Sequence, residues 1–263
     1  MSTWIFLRGL TRESRHWGDF QAIFRAAIHD CDIVTLDLPG NGILNGQRSP
    51  TSVAAMAEHC RAELLAREIR PPYYLLAMSL GAMVAVNWAD SHPQELAGCV
   101  CINTSLRPYN PFYQRLRPRN YAALLRLALP CGGAAVREQI VLRMTCNMAG
   151  PHAKVLEAWN AWRNERPVTP ANALRQLWAA IRYQAPQRKP AVPLLILAST
   201  ADQLVNPCCS RRLAHRWQTA YAEHPHAGHD LPLDDGTWVA QQVNEWLRVM
   251  NTRSPQRGAP RAL

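Results

Sequence analysis

The sequence predicts an α/β fold in which a mostly parallel central sheet carries helices on both faces. Short apolar runs alternate with segments of helical periodicity, and this alternation is typical of a parallel sheet covered on both sides. The chain has 263 residues, of which 48% are hydrophobic and 18% charged, which is enough for one compact unit with a large core. One long helical interval interrupts the alternation and indicates an insertion.

The predicted strands are the runs at residues 3–7, 32–38, 73–77, 97–103, 193–199 and 217–224. Segments with helical periodicity follow at residues 19–28, 52–69, 81–92, 210–217 and 236–250. Cys99 and Cys101 lie two residues apart in one predicted strand. A strand turns such residues to the same face, so both are expected to be core thiols.

Residues 106–187 are predicted to form a helical cap inserted into the sheet domain. Their pattern is helical and is broken repeatedly by proline. The expected organisation is a core of residues 1–105 and 188–250, this cap, and a disordered tail at residues 251–263, which is rich in Pro, Arg and Gly. The alternative for the interval is a pair of long crossover helices.

The chain is basic, with a net charge of +10 and a pI near 9.6. It has no lysine-rich run, so a solvated basic face is favoured over a nucleic-acid-binding patch, and no nucleic-acid partner is expected. The eight cysteines show no C-x-x-C pair, and no signal peptide or membrane span is recognisable. These features favour a reducing cytoplasm, and they indicate neither a metal site nor a cofactor.

Ser79 lies where an apolar strand passes into a helix, in the stretch "YYLLAMSLGAMVAV". A very short strand-to-helix turn strains the backbone of its central residue and needs small neighbours two positions away, which Ala77 and Gly81 provide. Such a turn lifts the Ser79 hydroxyl out of the sheet, as a nucleophile requires. A serine before a helix is more commonly a simple cap.

The stretch "AMSLGA" resembles the G-x-S-x-G nucleophile elbow of the α/β-hydrolase superfamily, with Ala77 in place of the first glycine. The segment "IFLRGLTRESRHW" is similar to the family loop that usually begins His-Gly, with Arg8 in place of the histidine and Gly9 kept. The stretch "TLDLPGNG" resembles the family's D-x-P-G-x-G turn. Asp37 in that turn precedes the serine, so it is interpreted as structural.

Two further stretches complete the resemblance. Asp202 follows the apolar run "PLLILAS" in a position similar to the family's acid turn, although an aspartate after a strand is often only a turn former. His229 in "AGHD" resembles the family's catalytic Gly-His. A metal site built from His224, His226 and His229 is the disfavoured alternative, because their spacing matches no zinc signature.

The resemblance implies a serine hydrolase in which Ser79, Asp202 and His229 form the catalytic triad. The family's two oxyanion-hole N–H groups map to Leu10 and Leu80. The expected substrate is a small-molecule or carrier-bound carboxylic ester. The elbow and the D-L-P-G turn are also similar to those of pimeloyl-acyl carrier protein methyl ester esterases. An acyltransferase using the same triad and a non-catalytic binding protein of the same fold stay open.

The predicted cap carries aromatic side chains and arginines. The aromatic residues could wall an acyl pocket, although at helical spacing they fit the core of the cap better. They are Tyr113, Tyr121, Trp159, Trp162 and Trp178. The arginines between Arg115 and Arg119 are candidates for attracting an acidic carrier or a carboxylate-bearing ester.

Overall fold

A computed structural model describes residues 1–128, 133–147 and 152–253. Its centre is one sheet of six strands in the order β2-β1-β3-β4-β5-β6, and every neighbouring pair is parallel. The strands are β1 (Ser2–Leu7), β2 (Cys31–Leu36), β3 (Tyr73–Met78), β4 (Leu96–Ile102), β5 (Leu194–Ser199) and β6 (Ala220–His224). The prediction of an α/β fold with a parallel sheet is confirmed.

The described residues contain ten α-helices. They are α1 (Phe20–Ala27), α2 (Val53–Ala66), α3 (Leu80–Ser91), α4 (Phe112–Arg115), α5 (Tyr121–Ala128), α6 (Ala134–Thr145), α7 (His152–Glu165), α8 (Pro170–Arg182), α9 (Cys208–Trp217) and α10 (Leu231–Arg253). Helix α10 is kinked at Asp235, where φ is −149°.

Alternate side chains of each strand enter two separate cores. In β1, Ile5 and Leu7 pack with α2, α3 and α9 on one face, whereas Trp4 and Phe6 pack with α1 and α10 on the other. Because successive strand residues point to opposite faces, a strand buried on both sides must be apolar throughout. Cys99 and Cys101 lie together in the first core, as predicted.

The interval between β4 and β5 holds helices α4 to α8. Within the interval, residues 121–128 and 134–145 are helical, and residues 129–132 and 148–151 lie outside the described residues. Within the described part of this interval, the strand-like pairing is a single bridge between Arg107 and Gln184. The division into core and cap stays a prediction.

Several predicted boundaries are wrong, and two of the differences have a clear physical reason. The last strand begins at Ala220 and not at residue 217, because α9 continues to Trp217 and ends where Gln218 adopts a left-handed conformation with φ of 47°. The predicted disordered tail begins too early, since α10 extends through residues 251–253. Lengthening an existing helix gains one hydrogen bond for each residue fixed. Residues 254–263 lie outside the described residues.

Candidate active site

Ser79 occupies a strained turn between β3 and α3, with φ of 55° and ψ of −115°. The turn is crowded: a Cβ built on Gly9 would lie 3.2 Å from the Ser79 Cβ, and one built on Gly81 would lie 2.5 Å from the Leu7 carbonyl oxygen. The Ser79 N–H donates to the Ile102 carbonyl at 3.0 Å. A positive φ at a residue other than glycine costs energy, and this strain aims the side chain away from the sheet.

His229 and Asp202 form a buried pair. The Nδ1 atom of His229 lies 2.7 Å from Oδ2 of Asp202, and the two residues are 3% and 1% exposed. A carboxylate only accepts hydrogen bonds, so Nδ1 carries the ring proton. The Nε2 atom of His229 is therefore the nitrogen left to act as a base.

Hydrogen bonds hold both the carboxylate and the main-chain carbonyl of Asp202. Its Oδ1 atom accepts hydrogen bonds from the N–H groups of Leu204 and Val205 at 2.7 and 2.9 Å. Its carbonyl oxygen accepts from Nη1 of Arg117 at 2.6 Å. The carboxylate thus has three hydrogen bonds, counting His229, which fix its orientation.

Asn103, which directly follows β4, connects the loop of His229 to the sheet. Its Nδ2 donates to the His229 carbonyl at 2.8 Å, and its Oδ1 accepts from the Ser199 N–H at 2.9 Å. Ile102, the neighbour of Asn103, accepts the Ser79 N–H. Among the hydrogen bonds of the described residues, none joins the Ser79 Oγ atom to the His229 ring, and catalytic hydrogen bonds often form only once substrate is bound.

Of the two predicted oxyanion donors, Leu80 directly follows Ser79, and Leu10 directly follows Gly9, where a Cβ would lie 3.2 Å from the Ser79 Cβ. Leu80 is the first residue of α3, where first-turn N–H groups have no partner within the helix. In the loop after β1, the Thr11 N–H donates to Oε1 of Gln176 at 2.9 Å and the Arg12 N–H to the Gly9 carbonyl at 3.2 Å. The Leu10 N–H has no hydrogen-bond partner within the described part of the chain. Both amides are thus available to an incoming oxygen.

Arg8 forms a buried two-point ion pair with Asp230. Its Nη1 and Nη2 atoms lie 3.1 and 2.5 Å from Oδ1 and Oδ2 of Asp230, and both side chains are at most 4% exposed. The guanidinium also stacks over Trp17, at 4.8 Å from the ring centre. Arg8 precedes Gly9 of the oxyanion loop and Asp230 follows His229, so this pair ties the two loops together.

The other acidic and histidine candidates have structural contacts. Asp37 accepts hydrogen bonds from the N–H and Oγ of Ser14 at 2.6 and 2.7 Å, which supports its structural interpretation. Asp234 accepts from the Gly228 N–H at 2.6 Å, and Asp235 lies 3.2 Å from Nε2 of His224. No metal-binding cluster of His, Cys, Asp or Glu is found in the residues described.

The side chains of the predicted cap are arranged differently from the expectation. Tyr113, Tyr121 and Trp178 are 40% to 50% exposed and so do not form an interior core, whereas Trp159 is buried. The Nη2 atom of Arg115 donates to the Ala180 carbonyl at 2.6 Å, and Arg117 and Arg119 donate to carbonyls of the Asp202 turn. Each of these arginines thus donates to a backbone carbonyl within or next to the predicted cap.

The family is decided by a comparison of the whole sequence with models of known families. The model of the "Alpha/beta hydrolase family" matches residues 4–242. The chain belongs to the α/β-hydrolase family. Among functionally curated proteins, none is significantly similar to it in sequence.

Solved structures show the same fold at low identity. A candidate lipase from Acinetobacter baumannii is 22% identical, with a TM-score of 0.77 over 96% of this chain and 85% of that one. A thermophilic esterase from Thermogutta terrifontis is 20% identical, with a TM-score of 0.72 over 95% and 90%. A candidate non-heme bromoperoxidase from Mycobacterium tuberculosis is 19% identical, with a TM-score of 0.73 over 95% and 92%. At these identities the likeness shows the hydrolase fold alone.

No disulfide links any two of the seven cysteines that the structure describes. Within the described residues, no helix combines the length and the hydropathy needed to cross a membrane.

Sequence reasoning missed three residues that hold the site together, namely Asn103, Gln176 and the partner of Arg8. Asn103 follows a strand in the same way as Asp202, so its position at the sheet edge was a usable signal. The Arg8–Asp230 pair joins residues that are 222 positions apart, and Gln176 reaches across 165 positions. Contacts at such separations leave no local pattern.

Proposed function

We propose that this hydrolase cleaves a carboxylic ester through an acyl-enzyme on Ser79. The observation that carries the proposal is the buried 2.7 Å hydrogen bond between Asp202 and Nδ1 of His229, which leaves Nε2 as a base. The strained turn at Ser79 supports it, because this geometry presents a hydroxyl at the edge of the sheet. The chain order serine, aspartate, histidine is the one used by this fold.

The chemistry follows from these positions. Nε2 of His229 takes the proton of the Ser79 hydroxyl as Oγ attacks the ester carbonyl, and the carbonyl oxygen becomes negatively charged. The N–H groups of Leu10 and Leu80 stabilise that charge. The imidazolium then gives its proton to the departing alcohol. Water repeats the sequence on the acyl-enzyme and releases the acid.

Asp202 acts by orienting His229 and by stabilising the imidazolium that forms. A charge interaction of this kind is strongest where water is excluded, and both residues are at most 3% exposed. The carboxylate keeps its position without His229, since the Leu204 and Val205 N–H groups hold its other oxygen. The base is therefore oriented before substrate arrives.

A fluorophosphonate probe and p-nitrophenyl acetate test the proposal. Wild-type protein should be labelled and should hydrolyse the ester, whereas Ser79→Ala should not be labelled and its turnover should fall by about a million-fold. Ser91→Ala, at an exposed serine that ends α3, is the matched control and should behave as wild type. A wild-type protein that reacts with neither reagent would show that the fold serves binding rather than catalysis.

Two finer assignments need their own measurements. Adding alcohol acceptors during ester turnover separates hydrolysis from acyl transfer, because a transferase yields a new ester in place of the acid.

The pimeloyl ester candidate depends on the short stretches around Asp37 and Ser79. Hydrolysis of a pimeloyl methyl ester at a rate no higher than that of simple methyl esters would remove this candidate.

A further inference from the structure

A second feature lies beside the oxyanion loop, between the segment after β1 and the helices α6 and α7. It is a small cleft of about 20 Å³. Its lining comprises Thr11, Arg12, Glu13, His16, Gly42, Glu138, Trp162, Arg163, Arg166 and Val168. The loops after β1 and β2 both contribute to it, and these parallel strands end at the same edge of the sheet as β3, which carries Ser79. The cleft therefore lies on the catalytic side of the molecule.

The charges that line this cleft do not balance. Three arginines face two glutamates there. Nη1 of Arg12 lies 2.6 Å from Oε2 of Glu138, whose other oxygen binds Nε of Arg163. Glu138 is 1% exposed, so both of its oxygens are committed inside the protein. Glu13 and Glu165 balance Arg15 and Arg166, so the surplus positive charge lies on Arg12 and Arg163, which share the single carboxylate of Glu138.

Arg12 has a donor group that nothing satisfies. It is 7% exposed, and its Nη2 atom is buried without a hydrogen-bond partner. The same holds for Nε of Arg8, Nη2 of Arg15 and Nε1 of Trp17, so every unpartnered side-chain atom of residues 8–17 is a donor. Leaving a buried donor unpaired costs free energy, and the cost is higher for a charged group. This segment lacks an acceptor.

The neighbouring His16 does not supply that acceptor. Its Nε2 lies 2.9 Å from Nη1 of Arg12, and its Nδ1 lies 3.1 Å from the Glu13 nitrogen and 3.3 Å from the Glu13 carbonyl oxygen, so both ring nitrogens already have partners. Burial first, and then the charge of Arg12, lower the pKa of His16 well below its usual value, so the ring is neutral. The ring of Trp159 covers the Arg12 guanidinium at 4.2 Å and offers no lone pair.

Arg12 is close to the nucleophile along the backbone. Its N–H donates to the Gly9 carbonyl at 3.2 Å, which closes a turn whose ends lie within about 7 Å of each other. At Gly9, a Cβ would lie 3.2 Å from the Ser79 Cβ. The oxyanion loop thus joins Arg12 of the cleft lining to Gly9, which lies against Ser79.

We propose that this cleft binds an ionised carboxylate of the substrate, so that the ester cleaved at Ser79 carries a second, free carboxyl group. The inference rests on the proposed esterase function. A monoanion matches the one surplus positive charge, whereas a phosphate dianion would exceed it. Carboxylate oxygens accept charge-assisted hydrogen bonds from guanidinium groups, and the ring of Trp162 offers an apolar wall for a methylene chain.

Matched ester pairs test the proposal on the wild-type protein. Monomethyl adipate and monomethyl suberate are compared with methyl hexanoate and methyl octanoate, and acetate esters of hydroxy acids are compared with those of simple alcohols. In at least one series, kcat/KM should be about 10-fold or more higher for the charged ester, which is the value of one charge-assisted hydrogen bond. A monophosphate ester of the same length should gain less. Equal or lower kcat/KM for the charged esters in both series overturns the proposal.

Substitutions at Arg12 and Arg25 test whether the preference for charged esters comes from the cleft. In Arg12→Met, the ratio of charged to neutral ester should fall to about one, and Arg12→Lys, which keeps the charge but loses the planar fork, should give an intermediate ratio. Arg25→Met removes the same charge from the exposed face of α1 and should keep the wild-type ratio. A fall that is equal in Arg25→Met and Arg12→Met would assign the preference to the net charge and not to the cleft.

Direct binding separates this inference from the proposed function. Adipate is titrated calorimetrically into the wild type and Arg12→Met, with hexanediol as the neutral control. Binding of adipate that Arg12→Met weakens about 10-fold supports the cleft even if no ester is cleaved. Absence of adipate binding to a protein that the fluorophosphonate probe labels would overturn the cleft while leaving the esterase proposal standing.

Discussion

Removing one member of the Arg8–Asp230 pair should destabilise the protein strongly. Arg8→Met leaves the Asp230 carboxylate buried without its counter-charge, and Asp230→Asn leaves the guanidinium in the same condition. Both side chains are at most 4% exposed, so water cannot solvate the remaining charge. Breaking a buried pair in this way costs about 3–5 kcal/mol in the free energy of unfolding.

The double variant distinguishes pairing from simple loss of packing. With neither charge present, Arg8→Met/Asp230→Asn should cost about 2–3 kcal/mol less than the sum of the two single variants. The exposed pair of Arg211 and Glu223 is the control. It has the same two-point geometry, at 2.8 and 2.6 Å, but Arg211 is 52% exposed. Arg211→Met should therefore cost at most about 1 kcal/mol.

Urea unfolding measures these free energies, with the slope m compared among variants to confirm a common unfolded state. Ester turnover is followed in parallel. Because the pair joins the oxyanion loop to the residue after His229, kcat should fall more than KM changes, by about 100-fold for a displacement near 1 Å. Single variants that cost less than about 1 kcal/mol, or a double variant equal to their sum, would refute the reasoning.

Three further outcomes follow from the site. Gly81→Ala should lower kcat and cost about 1–3 kcal/mol in unfolding free energy, because the new Cβ would lie 2.5 Å from a backbone oxygen; turnover equal to wild type would contradict this. Asn103→Ala removes the donor to the His229 carbonyl and should cost about 1–3 kcal/mol, measured by urea unfolding. Because folding lowers the pKa of His16, the imidazole takes up a proton at a higher pH in the unfolded chain than in the folded protein. The free energy of unfolding should therefore fall as the pH drops through 6.5. His16→Gln should flatten that slope, and an unchanged slope would exclude His16 as its source.

The sheet and its helices were predictable because each element leaves a local pattern. A strand buried on both faces must be apolar at every position, as in the "TWIFL" run of β1, and the structure confirms all six strand positions. The turn at Ser79 was predictable because its crowding requires small residues at fixed offsets. The ends of the elements were harder to predict. Trp217 fits a strand and a helix equally well, and its packing in the core decides that it belongs to α9.

The supports of the site were not predictable in the same way. The replacement of the usual histidine by Arg8 looked like a departure from the family pattern, yet its guanidinium is matched by an aspartate after the catalytic histidine. Glu138, which pairs with Nη1 of Arg12, lies 126 positions away along a helix with no distinguishing motif. The tertiary fold brings buried charges together from distant parts of the chain. Their pairs can therefore be predicted only when the positions of the helices and strands in space are known.

Helix α8 is anchored to the core in a way that restricts how substrate enters. Gln176 accepts the Thr11 N–H and donates to Oδ1 of Asn41 at 2.7 Å, and Asn172 accepts the Ser49 N–H at 2.9 Å. An outward movement of α8 would therefore break the hydrogen bond to the loop that carries Leu10 and would disrupt the proposed oxyanion hole. An entry route that preserves a competent catalyst must pass by the other helices of the interval and leave residues 170–182 in place.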